Sequence, residues 1–262
     1  MKALTILLVV FLFSIESCTG QSKTGAPDKR ETSGDKIIFV YGNGMNTAFI
    51  KYVASLTGKE RPRICLFPTA AADNPMVIDY WYKMVADLPM EPGVIQTFVT
   101  SAPGQKSFEE DILSYDAVLV GGGNTLNMLA IWKAQGIDTV LRKAYEKGIV
   151  LAGGSAGSLC WFTGGYTDSR PKELTLMECL GFLNYSHCPH YNGEPARKPL
   201  YHNAILDGKL QPGYACDDEA GLLFVNGEMK KSISLNNKNN NYYVSVKNGR
   251  ISEEKLPVEI LR

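Results

Sequence analysis

One serine stands out by its neighbours. In "IVLAGGSAGSLCWF", residues 149–162, Ser155 sits in Gly153-Gly154-Ser155-Ala156-Gly157, a G-x-S-x-G pattern. An apolar run precedes it and the start of a helix follows. A tight strand-to-helix turn of this kind leaves a serine Oγ bare for nucleophilic attack. It also frees the next N–H, that of Ala156, for a developing oxyanion. A plain glycine turn packing a helix on a sheet would be spelled the same way, so the serine needs partners. A second glycine run, Gly121-Gly122-Gly123-Asn124 in "AVLVGGGNT", closes another apolar segment. Its outward N–H groups offer a second oxyanion donor, with Gly123 preferred. The run matches neither G-x-x-x-x-G-K-[ST] nor G-x-G-x-x-G, which argues against a nucleotide phosphate loop.

A serine hydroxyl is barely ionised at neutral pH and requires a base. The chain has three histidines, His187, His190 and His202, two of them in "SHCPHYNGE". Pro189 biases Cys188 toward an extended backbone, so "HCPHY" reads as a strand end followed by a turn. His190 follows Ser155 by 35 residues, enough chain to return to the same sheet edge. A third group must orient the imidazole and balance its charge. Asp168 in "GYTDSR" and the acids Asp217, Asp218 and Glu219 in "YACDDEAG" are the candidates, and residue chemistry alone does not rank them.

Such groups need elements that bring them together. "KIIFVYG", "RICLFPTA", "GVIQTFVT", "DAVLVGGGN" and "IVLAGGS" are short apolar runs ending in turn residues. Between them lie segments of helical spacing: "NTAFIKYVASLTG", "PMVIDYWYKMVADL", "KSFEEDILSY", and "TLNMLAIWKAQGIDTVLRKAYEKG" with a break near Gly136. Alternating apolar strands and helices imply a doubly wound, mostly parallel α/β sheet covered on both faces. In such sheets ligands bind at the carboxyl ends of the strands, where both glycine runs fall. The last third predicts antiparallel strands around Asn226-Gly227 and a hairpin at Asn248-Gly249, closing the same domain over 36–262.

The balance of 27 basic and 27 acidic side chains gives no reason to expect nucleic acid as a partner. With three histidines and no C-x-x-C pair, neither a metal nor a cofactor is expected. The N-terminus, "MKALTILLVVFLFSIESC", has one lysine and then an apolar run from Ala3 to Phe13, too short to span a bilayer. It reads as a secretory signal over 1–18, followed by a polar linker over 19–35. Ile15-Glu16-Ser17-Cys18 is similar to a lipoprotein cleavage box, with Glu16 departing from the usual small residues. In that reading Cys18 carries a lipid anchor, and the protein is periplasmic or tethered to the membrane. Cys65 and Cys160 lie in apolar runs and are expected to be buried. No oligomeric state follows from the sequence, and a homodimer is compatible with it.

Taken together, "LVGGGNTLNML", "GGSAGSLCWF…TDS", "CPHY…R" and "DDEAGLL", in that order over roughly residues 36–230, resemble the dipeptidase E (aspartyl dipeptidase) and cyanophycinase family of serine peptidases. The resemblance implies a flavodoxin-like fold related to class I glutamine amidotransferases. It implies Ser155 as nucleophile, His190 as base, and Gly123 and Ala156 as oxyanion donors. For the acid it offers two positions, Asp168 by the dipeptidase pattern and Asp218 by the cyanophycinase-like one. Asn124, beside the oxyanion loop, is expected to touch substrate. Arg197 in "GEPARKP" matches the arginine that binds the acidic side chain in aspartyl dipeptidases, and a structural salt bridge is its alternative role. The expected substrate is a small peptide. Another hydrolase on the same elbow (an esterase, amidase or cyanophycinase) and a non-catalytic anion-binding protein are the competing readings.

Overall fold

The computed structural model describes residues 34–261. The expected signal, Cys18 and all but the last two residues of the expected linker lie outside the described residues.

The apolar runs become five parallel strands, in the order β3 (Glu91–Val94), β2 (Arg63–Phe67), β4 (Ala117–Val120), β5 (Val150–Gly154) and β1 (Ile37–Tyr41). Three more complete an eight-stranded sheet: β10 (Ala220–Val225) antiparallel to β1, β11 (Glu228–Ser234) antiparallel to β10, and the short β14 (Glu259–Ile260) at the edge. Asn226 and Gly227, with φ of 54° and 85°, make the two-residue turn between β10 and β11. Both residues are left-handed, as the twist of a tight hairpin requires.

Side-chain caps set where the helices begin. The Asn46 side chain accepts the Ala48 N–H to start α1 (Thr47–Leu56), and Asn74 accepts that of Met76 to start α2 (Pro75–Val85). Ser107 and Glu110 form a reciprocal capping box on α3 (Phe108–Ile112). Gly136, at φ 71°, separates α4 (Thr125–Gln135) from α5 (Ile137–Glu146). Helices α1 and α2 cover one face of the sheet around Phe49, Trp81 and Leu66, while α3, α4 and α5 cover the other around Ile112, Trp132 and Phe67. Each fully buried phenylalanine in these layers is worth about 2–3 kcal/mol of apolar burial. The chain leaves β2 over one face and β4 over the opposite face, so the adjacent ends of these two strands form a topological switch point.

Strand β3 starts and ends earlier than its apolar pattern suggests. The buried Asp73 carboxylate accepts the N–H groups of Thr97 and Phe98, taking them from any strand ladder. Residues beyond Ile95 therefore run as a pinned loop.

A second, six-stranded sheet was not expected. Its order is β13 (Arg250–Lys255), β12 (Asn241–Lys247), β9 (Gly213–Cys216), β8 (Ser186–Cys188), β6 (Gly164–Thr167) and β7 (Thr175–Glu178). The predicted Asn248-Gly249 hairpin belongs to it, joining β12 to β13. Helix α7 (Arg197–Leu206) packs on it through Tyr201 and Ile205. Cys160, Trp161, Phe162, Tyr214 and Phe224 form one continuous core between the sheets. The five described cysteines are unpaired, and burial pushes the thiols of Cys65, Cys160, Cys188 and Cys216 up. No helix among the described residues is long and apolar enough to cross a membrane.

Candidate active site

Strand β5 ends in the turn that presents Ser155, and the small residues around it answer to crowding. A Cβ on Gly153 would lie 2.3 Å from the Gly157 carbonyl oxygen, and one on Gly157 would lie 2.1 Å from that of Val120. The turn therefore packs backbone against backbone on β4. Ser155 itself sits at φ 55°, ψ −119°, outside the regions side chains favour. Such a conformation costs about 1–3 kcal/mol and persists only when its surroundings impose it. Here the Ser155 N–H donates to the Tyr41 carbonyl at 3.3 Å, and its own carbonyl accepts the N–H groups of Ser158 and Leu159 in the short helix α6 (Ala156–Leu159).

His190 follows β8 through the Cys188-Pro189 turn and also has a left-handed backbone, φ 54°. Its Nε2 stands 2.9 Å from Ser155 Oγ and its Nδ1 2.8 Å from Asp218 Oδ1. Asp218 lies in the turn from β9 to β10, where the chain crosses from one sheet to the other. The Asn192 side chain accepts the Asp218 N–H at 3.0 Å, tying that turn to the histidine loop. The adjacent acids do other work. Asp217 Oδ2 accepts the Asn240 N–H, and burial pushes its carboxyl pKa up. Glu219 holds the side chains of Asn236 and Asn239.

The glycine loop after β4 faces the serine. A Cβ on Gly122 would stand 3.2 Å from Ser155 Cβ and 3.6 Å from its Oγ, which sets Gly122 of this loop against the serine side chain. The N–H groups of Gly122, Gly123 and Ala156 donate to no acceptor among the described residues. Gly123, at φ 137°, lies against the Ala70 backbone and is exposed. Ala156 is buried. An oxygen beside Ser155 would meet donors from both loops, the arrangement that stabilises a tetrahedral oxyanion.

The remaining expected site residues lie elsewhere in the hydrogen-bond network. Asn124 caps α4 by accepting the Asn127 N–H at 2.9 Å, and its amide donates to the Ser169 carbonyl at 3.0 Å. Asp168 is not brought to His190. It is largely exposed, and its carboxylate is 3.9 Å from Arg197 Nη2. Arg197 is 3% exposed, and each of its three guanidinium nitrogens donates one hydrogen bond within the protein. Glu194 receives its Nε at 2.8 Å and Nη2 at 3.1 Å, and the Tyr166 carbonyl accepts from Nη1 at 3.0 Å. This is the structural salt bridge, the alternative role for that arginine.

Two groups beneath the serine did not figure in the expected site. Ser158 Oγ donates to the Ser155 carbonyl at 2.8 Å and lies 3.1 Å from His187 Nε2. His187 is buried, stacked on Phe162 at 4.3 Å, and its Nδ1–H donates to the Tyr214 carbonyl at 3.0 Å. Burial pushes its pKa down to about 3, which keeps it a neutral structural group. His202 is bound to Tyr191 and Glu253, away from the serine. The sequence clue was the second serine of GGSAGS, one helical turn past the first.

The family model described as "Peptidase family S51" matches residues 38–232. An uncharacterized peptidase of Bacillus subtilis strain 168, YgaJ, is 38% identical over 231 residues, covering 86% of this chain and 99% of that protein. Two crystal structures share the fold. A peptidase from an acI-B1 actinobacterium aligns with a TM-score of 0.67 at 16% identity, over 86% of this chain and 95% of that one. A candidate peptidase E protein from Listeria monocytogenes EGD-e aligns with a TM-score of 0.57 at 18% identity, over 78% of this chain and all of that one.

Proposed function

Because the chain belongs to peptidase family S51 and is a serine-type peptidase of dipeptidase E type, we propose that it hydrolyses small peptides through Ser155, His190 and Asp218. The observation that carries this reading is the unbroken chain from Asp218 Oδ1 to His190 Nδ1 to Ser155 Oγ, with contacts of 2.8 and 2.9 Å, at a strained serine. Asp218 holds Nδ1–H, so Nε2 is the basic nitrogen facing the hydroxyl. His190 takes the serine proton as Oγ bonds to the scissile carbonyl carbon. The carbonyl oxygen, now an oxyanion, accepts from the loop of Gly122 and Gly123 and from Ala156. His190 then gives the proton to the leaving amine. Water, activated by the same imidazole, releases the acyl group and restores Ser155.

An aspartate preference through Arg197 finds no support in the contacts, because Glu194 and Tyr166 already occupy that guanidinium. Export remains part of the proposal on the strength of Lys2 and the apolar run from Ala3 to Phe13. Mass spectrometry of the mature N-terminus tests it, and reveals any lipid on Cys18.

The deciding experiment compares wild type with Ser155→Ala on a panel of free dipeptides and short peptides. Wild-type hydrolysis that falls at least about a thousandfold in the variant is expected. Equal rates in the two proteins would remove Ser155 as nucleophile.

A further inference from the structure

We propose that the cavity at the switch point between β2 and β4 is a subsite for an uncharged apolar side chain, belonging to the residue whose carbonyl is attacked. This rests on the reading of Ser155 as nucleophile. The cavity, about 380 Å³, is bordered by Thr69, Ala70, Phe98, Asn124, Ala130 and Ile131.

Its place follows from the strand order. The loop after β2 and the glycine loop after β4 meet there, joined by the Asn124 N–H donating to the Ala70 carbonyl at 2.8 Å. Crevices of this kind are where open α/β sheets bind ligands. Two residues before Asn124, Gly122 lies against Ser155, so the cavity and the oxyanion donors share one short loop. A scissile carbonyl held on that loop directs its own Cα and side chain to the same side. The leaving amine must instead face His190, which arrives from the second sheet. The cavity therefore receives the acyl residue.

Its chemistry selects against charge, since no ionisable side chain lines it. Phe98 stands 53% exposed on its wall, an aromatic side chain half open to solvent. A carboxylate placed there would lose water and meet no cation, only the neutral side chains of Thr69, Asn124 and Asn127. The walls are held before any ligand arrives. Asp73 pins the backbone of Thr97 and Phe98, and Thr69 Oγ1 accepts from Trp132 Nε1 at 3.0 Å. A preformed apolar pocket with few polar groups is the usual form of a small-ligand site.

The test uses the full chain and its Ala130→Trp variant, which fills the cavity from an exposed helix position. Substrates are X-Ala dipeptides and N-acetyl-X nitrophenyl esters, with X as Leu, Phe, Ala, Asp or Lys. Fluorophosphonate labelling of Ser155 reports an intact nucleophile. Wild type is expected to prefer Leu and Phe over Ala, Asp and Lys by about tenfold or more in kcat/KM. Ala130→Trp should erase that preference while Ser155 is still labelled. Labelling with turnover that is flat across X, selective for Asp, or unaltered by Ala130→Trp overturns the subsite alone. Absence of labelling and of all hydrolysis overturns the nucleophile and the subsite with it.

Discussion

Glu194 grips Arg197 with both carboxylate oxygens, at 2.8 Å to Nε and 3.1 Å to Nη2, across a single turn of chain. The guanidinium is buried while the carboxylate is partly exposed, so the two partners are unequal. Removing the carboxylate strands a charge in the interior. Glu194→Ala should cost about 1–3 kcal/mol in urea denaturation, with the ratio of rates on Asp and Leu peptides unchanged. A loss confined to Asp peptides in Arg197→Ala would instead make that arginine a substrate clamp.

The acid facing His190 is separable from its rival by one pair of variants. Asp218→Asn keeps the shape of the contact but favours the wrong imidazole tautomer, so kcat should fall about a thousandfold to ten-thousandfold. Asp168→Asn, at an exposed carboxylate 3.9 Å from Arg197, should stay within about threefold of wild type. Steady-state kinetics on any cleaved peptide reads both, and reversal of the two results would reassign the acid.

Two glycines near Ser155 should fail in different ways. Gly157→Ala drives a methyl to 2.1 Å from the Val120 carbonyl oxygen, a clash of backbone with backbone. Its thermal unfolding should reveal a loss of about 3 kcal/mol or more. Gly122→Ala meets Ser155 Cβ at 3.2 Å, a contact that small shifts relieve. That variant should stay folded while kcat/KM drops about tenfold or more, because the methyl faces the hydroxyl and the oxyanion position. Equal effects on stability would contradict this division.

His187 should make stability depend on acid. Its folded pKa is about 3, against an ordinary value of 6.5. Between those values the unfolded chain binds the proton and the folded one does not. Stability therefore falls as pH drops from 6.5 toward 3, by about 2 kcal/mol at pH 5 from this group. Chemical denaturation at pH 7.5 and pH 5, for wild type and His187→Gln, isolates the effect. The variant should show a smaller acid loss, and an identical loss in both would assign the pH dependence to other groups.

The first five strands and their helices were legible because each is punctuated: asparagines cap α1, α2 and α4, and Gly136 splits α4 from α5. The Ser155 turn was legible for a similar reason, since a crowded bend needs many small residues. The second sheet was not. Strands such as Gly164–Thr167 and Ser186–Cys188 are too short and too polar to show a period. The acid at His190 was equally hidden, because Asp217, Asp218 and Glu219 differ only in what each faces across the turn. Gly122 and Gly123 likewise look alike until β4 and β5 are paired side by side. Arg197 is a different case. Its partner three residues earlier was visible, but the Tyr166 carbonyl that completes the shell comes from a distant strand.

The proposed catalytic chain is also a chronology. Ser155 closes the parallel half of the first sheet, His190 arrives with the second, and Asp218 sits where the chain returns to lay β10 against β1. In the proposed mechanism a growing polypeptide thus carries its hydroxyl before its base, and a chain stopped between residues 190 and 218 has the imidazole but not the carboxylate that orients it. On that proposal, completion of the fold and completion of the Ser155–His190–Asp218 chain are one event.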